Sequence, residues 1–362
     1  MTPALFDRFP ALTRKVSVFP LLSGATPVRP LTELGKLLGI DSLWVKRDDA
    51  CSPLYGGNKV RKLEFLLAEA LELGHTEVMT FGFAGSNHCT ATAVCAKAAG
   101  LKCHSILSPQ ENALYVRRNL LMGLWMGAEL HPVPLEELDS YADSLAARRF
   151  CATGKVPYRI PAGGSSPTGV IGLVSAAFEL AGQVHEGLLP EPDLLFVPMG
   201  TAGTAAGLQI GLRAADLKTQ VVAVGVVDPS YMNAEKLNDL LCRTVGRLRV
   251  LDPAFPDAAC AEPAVVIDFD SFGGAYAHIT AEVREAMELM QATEGIRLEG
   301  TYTGKAVAAL VRWARAGELS GKKVLYWYTL NSVPYPEEAM MADYHKLPKE
   351  FHWFFESAAQ DD

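Results

Sequence analysis

The chain has 362 residues, 49% hydrophobic and 20% charged, with 31 glycines and 22 prolines: a globular composition, long enough for one large domain or two smaller ones. A net charge of −8 without a long basic block argues against a nucleic-acid partner, and no apolar run reads as membrane-spanning. Seven cysteines (51, 89, 95, 103, 151, 242 and 260) form no C-x-x-C pair or zinc spacing, so reduced thiols, no metal and a cytoplasmic setting are expected; Arg8, Arg14 and Lys15 lead into no signal-type core.

From residue 43 onward, short apolar runs alternate with amphipathic segments. The runs at 43–46, 77–82, 102–107, 128–133, 156–160, 193–200, 220–227 and 322–329 read as strands. Helical spacing falls at 59–73, 87–99, 111–126, 135–149, 167–186, 203–215, 231–242, 280–293 and 304–316. This alternation predicts parallel sheets covered on both faces, and the number of units predicts two α/β layers sharing one cleft. The stretch "PAGGSSPTG" (161–169) and the Gly56–Gly57 turn are the candidate joints. Near the C-terminus, Trp353, Phe354 and Phe355 are expected to pack against the body, with the acidic end fraying.

Four stretches carry candidate chemistry. In "GGNKVRKLEF" (56–65), Lys59 follows two glycines and Asn58, a favoured capping residue, just where a helix begins. A helix start disfavours a cation, and Arg61 and Lys62 add positive charge. Lys59 is therefore either part of a solvated basic turn or an amine of depressed pKa, able to act as nucleophile or base. In "VPMGTAGTAAGL" (197–208), a strand runs into a small-residue loop and a helix, so Gly200, Thr201, Ala202, Gly203 and Thr204 can converge N–H groups on a phosphate. Asp228, ending the next strand, sits where a ribose-binding acid would, which leaves a NAD(P)-dependent oxidoreductase as the rival reading.

"TFGFAGSNHCTATA" (80–93) places Ser86 and Asn87 at another helix start, where they serve as caps or hold a carboxylate. His88 reads as structural. "EGTYTGKAVAAL" (299–310) sets Tyr302 before a turn and a helix, ordinarily a core position with its hydroxyl partnered at the edge.

Taken in this order, the stretches resemble the fold-type II pyridoxal-phosphate enzymes, and within them the group of D-cysteine desulfhydrases and 1-aminocyclopropane-1-carboxylate (ACC) deaminases. The motifs are "GGNKVRKLEFLL", "GSNHCTATA", "PAGGSSPTGVIGLV" and "TEGIRLEGTYTGKA", and the resemblance runs from about Thr26 to about Thr329. It implies a two-domain α/β fold (tryptophan synthase β-like) of mostly parallel sheets covered by helices. The large cofactor-binding domain would comprise 1–56 and 169–362 and the small domain 57–168. It also implies pyridoxal 5'-phosphate as cofactor, an amino-acid substrate and a homodimer.

Residue by residue, the resemblance makes Lys59 the Schiff-base lysine, Ser86 a holder of the substrate carboxylate, and Asn87 a partner of the cofactor's phenolic oxygen. It makes Gly200, Thr201, Ala202, Gly203 and Thr204 the phosphate loop, and places Tyr302 and Tyr276 (in "GGAYAHI") at the active site. Thr303 would face the pyridine nitrogen, where the deaminases carry a carboxylate. A neutral hydroxyl there gives a weaker electron sink, which favours β-elimination from a cysteine-like amino acid to pyruvate, ammonia and sulfide over opening a cyclopropane. An ACC deaminase, a cysteate-type sulfo-lyase and a non-catalytic relative are the alternatives. Two positions depart from the group's pattern: Leu330 and Asn331 replace glycines after the last strand, and Gly85 stands where desulfhydrases often carry Gln.

Overall fold

The computed structural model describes residues 2–257 and 265–360; Cys260 and the last two aspartates lie outside them. The near-continuous apolar runs form strands buried on both faces, as parallel strands require. In chain order the strands are β1 (Val28–Pro30), β2 (Ser42–Arg47), β3 (Glu77–Phe83), β4 (Lys102–Ser108), β5 (Glu129–Pro132), β6 (Tyr158–Arg159), β7 (Leu194–Met199), β8 (Gln220–Gly225), β9 (Val266–Asp268) and β10 (Lys323–Tyr328). They make a six-stranded sheet, β1-β2-β10-β7-β8-β9, and a four-stranded sheet, β5-β4-β3-β6. Every pairing is parallel except the edge pair β1–β2, where Val28 opposes Lys46. β1 and β9 were not expected, since three residues are too few to show a strand period.

All nine expected helices form. Most agree within a few residues; the exception is the helix expected at 231–242, which spans Ala234–Leu251. Asn233 caps it by accepting from Lys236 N–H at 3.2 Å, and buried Leu241, Val245 and Leu248 continue its apolar face past the expected end. Helix Pro167–His185 bears on the membrane expectation. By length and hydropathy alone it is apolar enough to span a bilayer, but 67% of that stretch is buried inside the protein. Val170, Ile171, Leu173, Val174 and Leu180 pack there with helix Gly203–Ala214 and strands β7 and β8.

A second core lies under helices Asn58–Glu72, Asn87–Ala98 and Leu114–Trp125, and it takes in Leu347, Phe351 and Phe354 from the C-terminal segment. Phe354 packs as expected and Phe355 is partly buried, but Trp353 remains 51% exposed, with its ring in a T-shaped arrangement with Phe354. The segment is tied down by its backbone: Phe354 O accepts from Asn112 Nδ2 at 2.9 Å and from Arg117 Nε at 2.7 Å.

Candidate active site

The turn before Lys59 is built by backbone geometry. Gly57 has φ +92°, a left-handed conformation that side chains rarely adopt, and a Cβ there would lie 2.5 Å from Thr329 O. Asn58 does not cap the helix as expected. It is the first helical residue, and its Nδ2 donates to Thr204 Oγ1 at 2.7 Å, joining this helix start to the small-residue loop. Nor is the turn a solvated basic surface, because Arg61 and Lys62 are each 1% exposed. Arg61 is paired with Asp48 (2.8 Å) and Glu179 (3.0 Å), so its charge is neutralised inside the core.

The Lys59 amine reaches into the cleft, 5.9 Å from the centre of the Tyr302 ring. Burial lowers its pKa from 10.5 to about 8, against the opposing pull of Glu299. At pH 7 that leaves roughly one amine in ten neutral, about 300 times the fraction of an ordinary lysine.

The loop after β7 runs through Gly200 and Thr201 to Ala202, a non-glycine residue at φ 59°, and helix Gly203–Ala214 follows. Strain of this kind costs about 1–3 kcal/mol and collects at ligand sites. Behind the loop, Lys62 Nζ donates to Gly163 O (3.0 Å) and Ser165 Oγ (3.1 Å), and Ser165 Oγ lies 2.7 Å from Thr201 Oγ1. The "PAGGSS" stretch, read from sequence as a joint, thus buttresses the loop. Asp228 lines the same cleft, but its carboxylate accepts from Ser230 N–H (2.8 Å) and Oγ (2.5 Å), closing its own turn.

Across the cleft, Ser86 caps helix Asn87–Ala98 by accepting from Cys89 N–H at 3.2 Å, which leaves its hydroxyl proton to donate. Asn119 Nδ2 donates to Asn87 Oδ1 at 3.0 Å, and Tyr335 donates to Asn119 Oδ1 at 2.7 Å. The Asn87 amide is therefore oriented with its nitrogen as the remaining donor. His88 Nε2 sits 2.8 Å from Thr80 Oγ1 and burial lowers its pKa, consistent with a structural, neutral histidine. The Tyr276 and Tyr302 hydroxyls lie 2.8 Å apart, and the Tyr276 ring stacks on Phe83 at 4.4 Å. Burial raises the pKa of both phenols, so they remain protonated donors at neutral pH.

Glu299 is the residue that sequence reasoning missed. It is 6% exposed, and its carboxylate accepts from the N–H groups of Thr301 (2.8 Å), Tyr302 (2.9 Å) and Thr303 (2.7 Å). The Thr303 hydroxyl, expected to stand alone as a neutral group, also donates to Glu299 Oε1 at 3.0 Å. Burial raises the pKa of this carboxyl against those hydrogen bonds. The sequence signal was an acidic residue four before Thr303 at a helix start, where a carboxylate satisfies otherwise unpaired N–H groups.

One cleft of about 300 Å³ gathers every expected site residue: Lys59, Ser86, Asn87, Gly200 to Thr204, Tyr276, Tyr302 and Thr303. The sequence profile of the family described as "Pyridoxal-phosphate dependent enzyme" matches residues 20–329. The chain is a pyridoxal-phosphate-dependent enzyme. It is 34% identical over 313 residues to the D-cysteine desulfhydrase of Serratia proteamaculans, covering 83% of this chain and 90% of the relative. It is also 34% identical to a protein of Pyrococcus abyssi provisionally named 1-aminocyclopropane-1-carboxylate deaminase, covering 90% and 93% of the two chains. A crystal structure of an ACC deaminase homologue superposes with a TM-score of 0.78 at 32% identity, over 94% of this chain and 99% of the other. The fungal L-serine ammonia-lyase of Rhizomucor miehei, at 19% identity and TM-score 0.60 over 90% of this chain and 99% of the other, shares the fold. The nucleotide oxidoreductase reading is overturned by this membership.

The residues of this pyridoxal-phosphate enzyme fit its cofactor. The small-residue loop lines the cleft at the start of helix Gly203–Ala214, and it packs so closely on its support that a Cβ on Gly203 would lie 2.4 Å from Ser165 Oγ and 2.6 Å from Lys62 Nζ. The two departures have local explanations. Asn331 Oδ1 accepts from Gly56 N–H (2.6 Å) and Val333 N–H (3.0 Å), so it fastens the turn leading to Lys59. A side chain at Gly85 would meet Tyr115 at 2.5 Å, and Gln110 supplies an amide oxygen to Gly85 N–H at 2.8 Å from the neighbouring loop.

Proposed function

We propose that this enzyme is a lyase that eliminates the Cβ leaving group of a cysteine-like amino acid, D-cysteine first, giving pyruvate, ammonia and sulfide. The observation that carries the reading is the start of helix Thr303–Arg315: Thr303 presents a hydroxyl to the cleft, and the Glu299 carboxylate that also lines it is taken up by three backbone N–H groups and the Thr303 hydroxyl. An alcohol is too weak an acid to protonate a ring nitrogen, and this one already donates to Glu299. When bound, pyridoxal 5'-phosphate supplies the conjugated ring that accepts the electron pair left at Cα.

The chain's own groups supply the rest. Lys59 holds the cofactor and then, as a neutral amine of lowered pKa, takes the Cα proton. Ser86 and the N–H groups at the start of helix Asn87–Ala98 bind the substrate carboxylate. Asn87 orients the phenolic edge, and Gly200 to Thr204 hold the phosphate. As the carbon–sulfur bond breaks, its electron pair goes to sulfur, and the paired Tyr276 and Tyr302 hydroxyls provide the proton. The same reading includes a homodimer in the cytoplasm, with residues 57–168 forming a small domain against 1–56 and 169–362.

ACC deamination is the second reading, favoured by the names of the Pyrococcus relative and the superposed homologue. A side-by-side assay of D-cysteine, L-cysteine, β-chloroalanine and ACC decides between them. Pyruvate from the Cβ-substituted amino acids with little 2-oxobutyrate from ACC is the expected result. Turnover of ACC above the others overturns the argument from Thr303.

A further inference from the structure

Away from the cleft, neighbouring strands β4 and β5 bring two histidines and a carboxylate together. His104 is the register partner of Glu129, and His131, two residues further along β5, lies on the same face. His104 Nδ1 is 3.3 Å from His131 Nε2 and 3.1 Å from Glu129 Oε2, and His131 Nε2 is 4.0 Å from Glu129 Oε2. A tetrahedral ion with bonds of about 2.0–2.1 Å separates its ligand atoms by about 3.3 Å, so two of the three edges already have the required length.

The far side of each ring is also held. His104 Nε2 is 3.0 Å from Glu77 Oε2, itself fixed by Arg149, and His131 Nδ1 is 3.0 Å from the Tyr141 hydroxyl. An oxygen partner on the outer nitrogen is what orients metal-binding histidines. Burial lowers the pKa of both imidazoles, that of His131 to about 4, so at neutral pH both are uncharged. Glu129 Oε1 pairs with Lys102 at 2.5 Å, which turns Oε2 toward the histidines.

We propose that His104, Glu129 and His131 bind one divalent first-row transition ion, zinc first, leaving a fourth position open to solvent. Two imidazole nitrogens and a carboxylate oxygen are a recognised zinc donor set, and Glu129, 46% exposed at its side chain, provides the way in. With no ion present, one tautomer assignment pairs both rings but leaves the His104 Nδ1 lone pair facing Glu129 Oε2 at 3.1 Å, a repulsion that a cation between them removes. His104 Nε2–H donates to Glu77, His131 Nε2–H donates to His104 Nδ1, and Tyr141 O–H donates to His131 Nδ1. On binding, the His131 proton moves to Nδ1 and donates to Tyr141, which frees both inner nitrogens as ligands without net proton release. The ion then ties β4 to β5 and holds Tyr141, one turn into the helix that begins at Leu138.

The test is zinc titration of tag-free, chelator-treated holoenzyme against a chromophoric competitor. The expected result is one ion per chain, a raised Tm, and at least tenfold weaker binding in His131→Ala and in Glu129→Gln. His104 is too buried to serve as the test position. Cys151→Ser with Cys242→Ser, at the two exposed thiols among the described residues, is expected to bind as tightly as wild type. Absence of zinc binding, binding unchanged in both His131→Ala and Glu129→Gln, or binding lost with the two thiols each overturns the proposal.

Discussion

Replacing Lys59 by Met is expected to abolish activity and yet stabilise the cofactor-free protein. The lowering of the amine's pKa from 10.5 to about 8 corresponds to roughly 3 kcal/mol held against its charged form, somewhat less after solvent screening of a partly buried group. Because the folded pKa lies below the unfolded one, the unfolded chain binds more protons between about pH 8 and pH 10.5, and both forms are protonated below that window. The penalty is therefore complete below about pH 8 and fades as pH rises toward 10.5. Met keeps the side-chain volume and removes the charge, so a gain of about 2–3 kcal/mol at pH 7 should fall to less than half by pH 9.5. Removing that charge also relieves Lys62, whose pKa is lowered first by burial and then by Lys59. Urea unfolding of both cofactor-free proteins at the two pH values measures the difference. Borohydride reduction of wild-type holoenzyme should label Lys59 and not Lys62 or Lys305. Equal stability at pH 7, or a gain that does not shrink with pH, refutes the account of Lys59 as an amine kept reactive by burial.

Gly203→Asp places a carboxylate against Ser165 and Lys62, so cofactor affinity, measured by dialysis, should fall at least tenfold while the circular dichroism is retained. Gly57→Ala forces a Cβ into φ +92° and onto Thr329 O, costing about 2 kcal/mol or more in urea unfolding. Asn119→Ala frees the Asn87 amide to rotate. The expected outcome is weaker cofactor retention and a shifted visible band, with Tm lowered by no more than a few degrees.

The helices and the longer strands were legible because their apolar residues repeat at helical spacing or run unbroken, and these patterns are local. What was not legible depends on residues far apart in sequence. Arg61 reads as surface charge until Asp48 and Glu179 arrive beside it from other elements. Asn58 reads as a cap, yet its partner is Thr204, 146 positions away. Glu299 lay within a stretch already singled out, but its role as acceptor for three successive N–H groups and the Thr303 hydroxyl appears only once the turn is folded. The substrate argument changes accordingly, because Thr303 must be read together with the carboxylate behind it.

The order of the six-stranded sheet has a consequence for how the protein is made. β10, residues 323–328, lies between β2 and β7, so these two earlier strands have open edges facing each other until residue 328 has left the ribosome. Unpaired edges are sites of misassociation. The residue just after β10, Thr329, also forms the wall against which the Gly57 turn closes, and Asn58 N–H donates to its carbonyl at 3.4 Å. A nascent chain stalled before residue 323 has Lys59 but not the turn that aims it. Cofactor capture therefore waits for the chain through Thr329, and nonsense truncations ahead of β10 should yield aggregating, colourless protein instead of a partially active core.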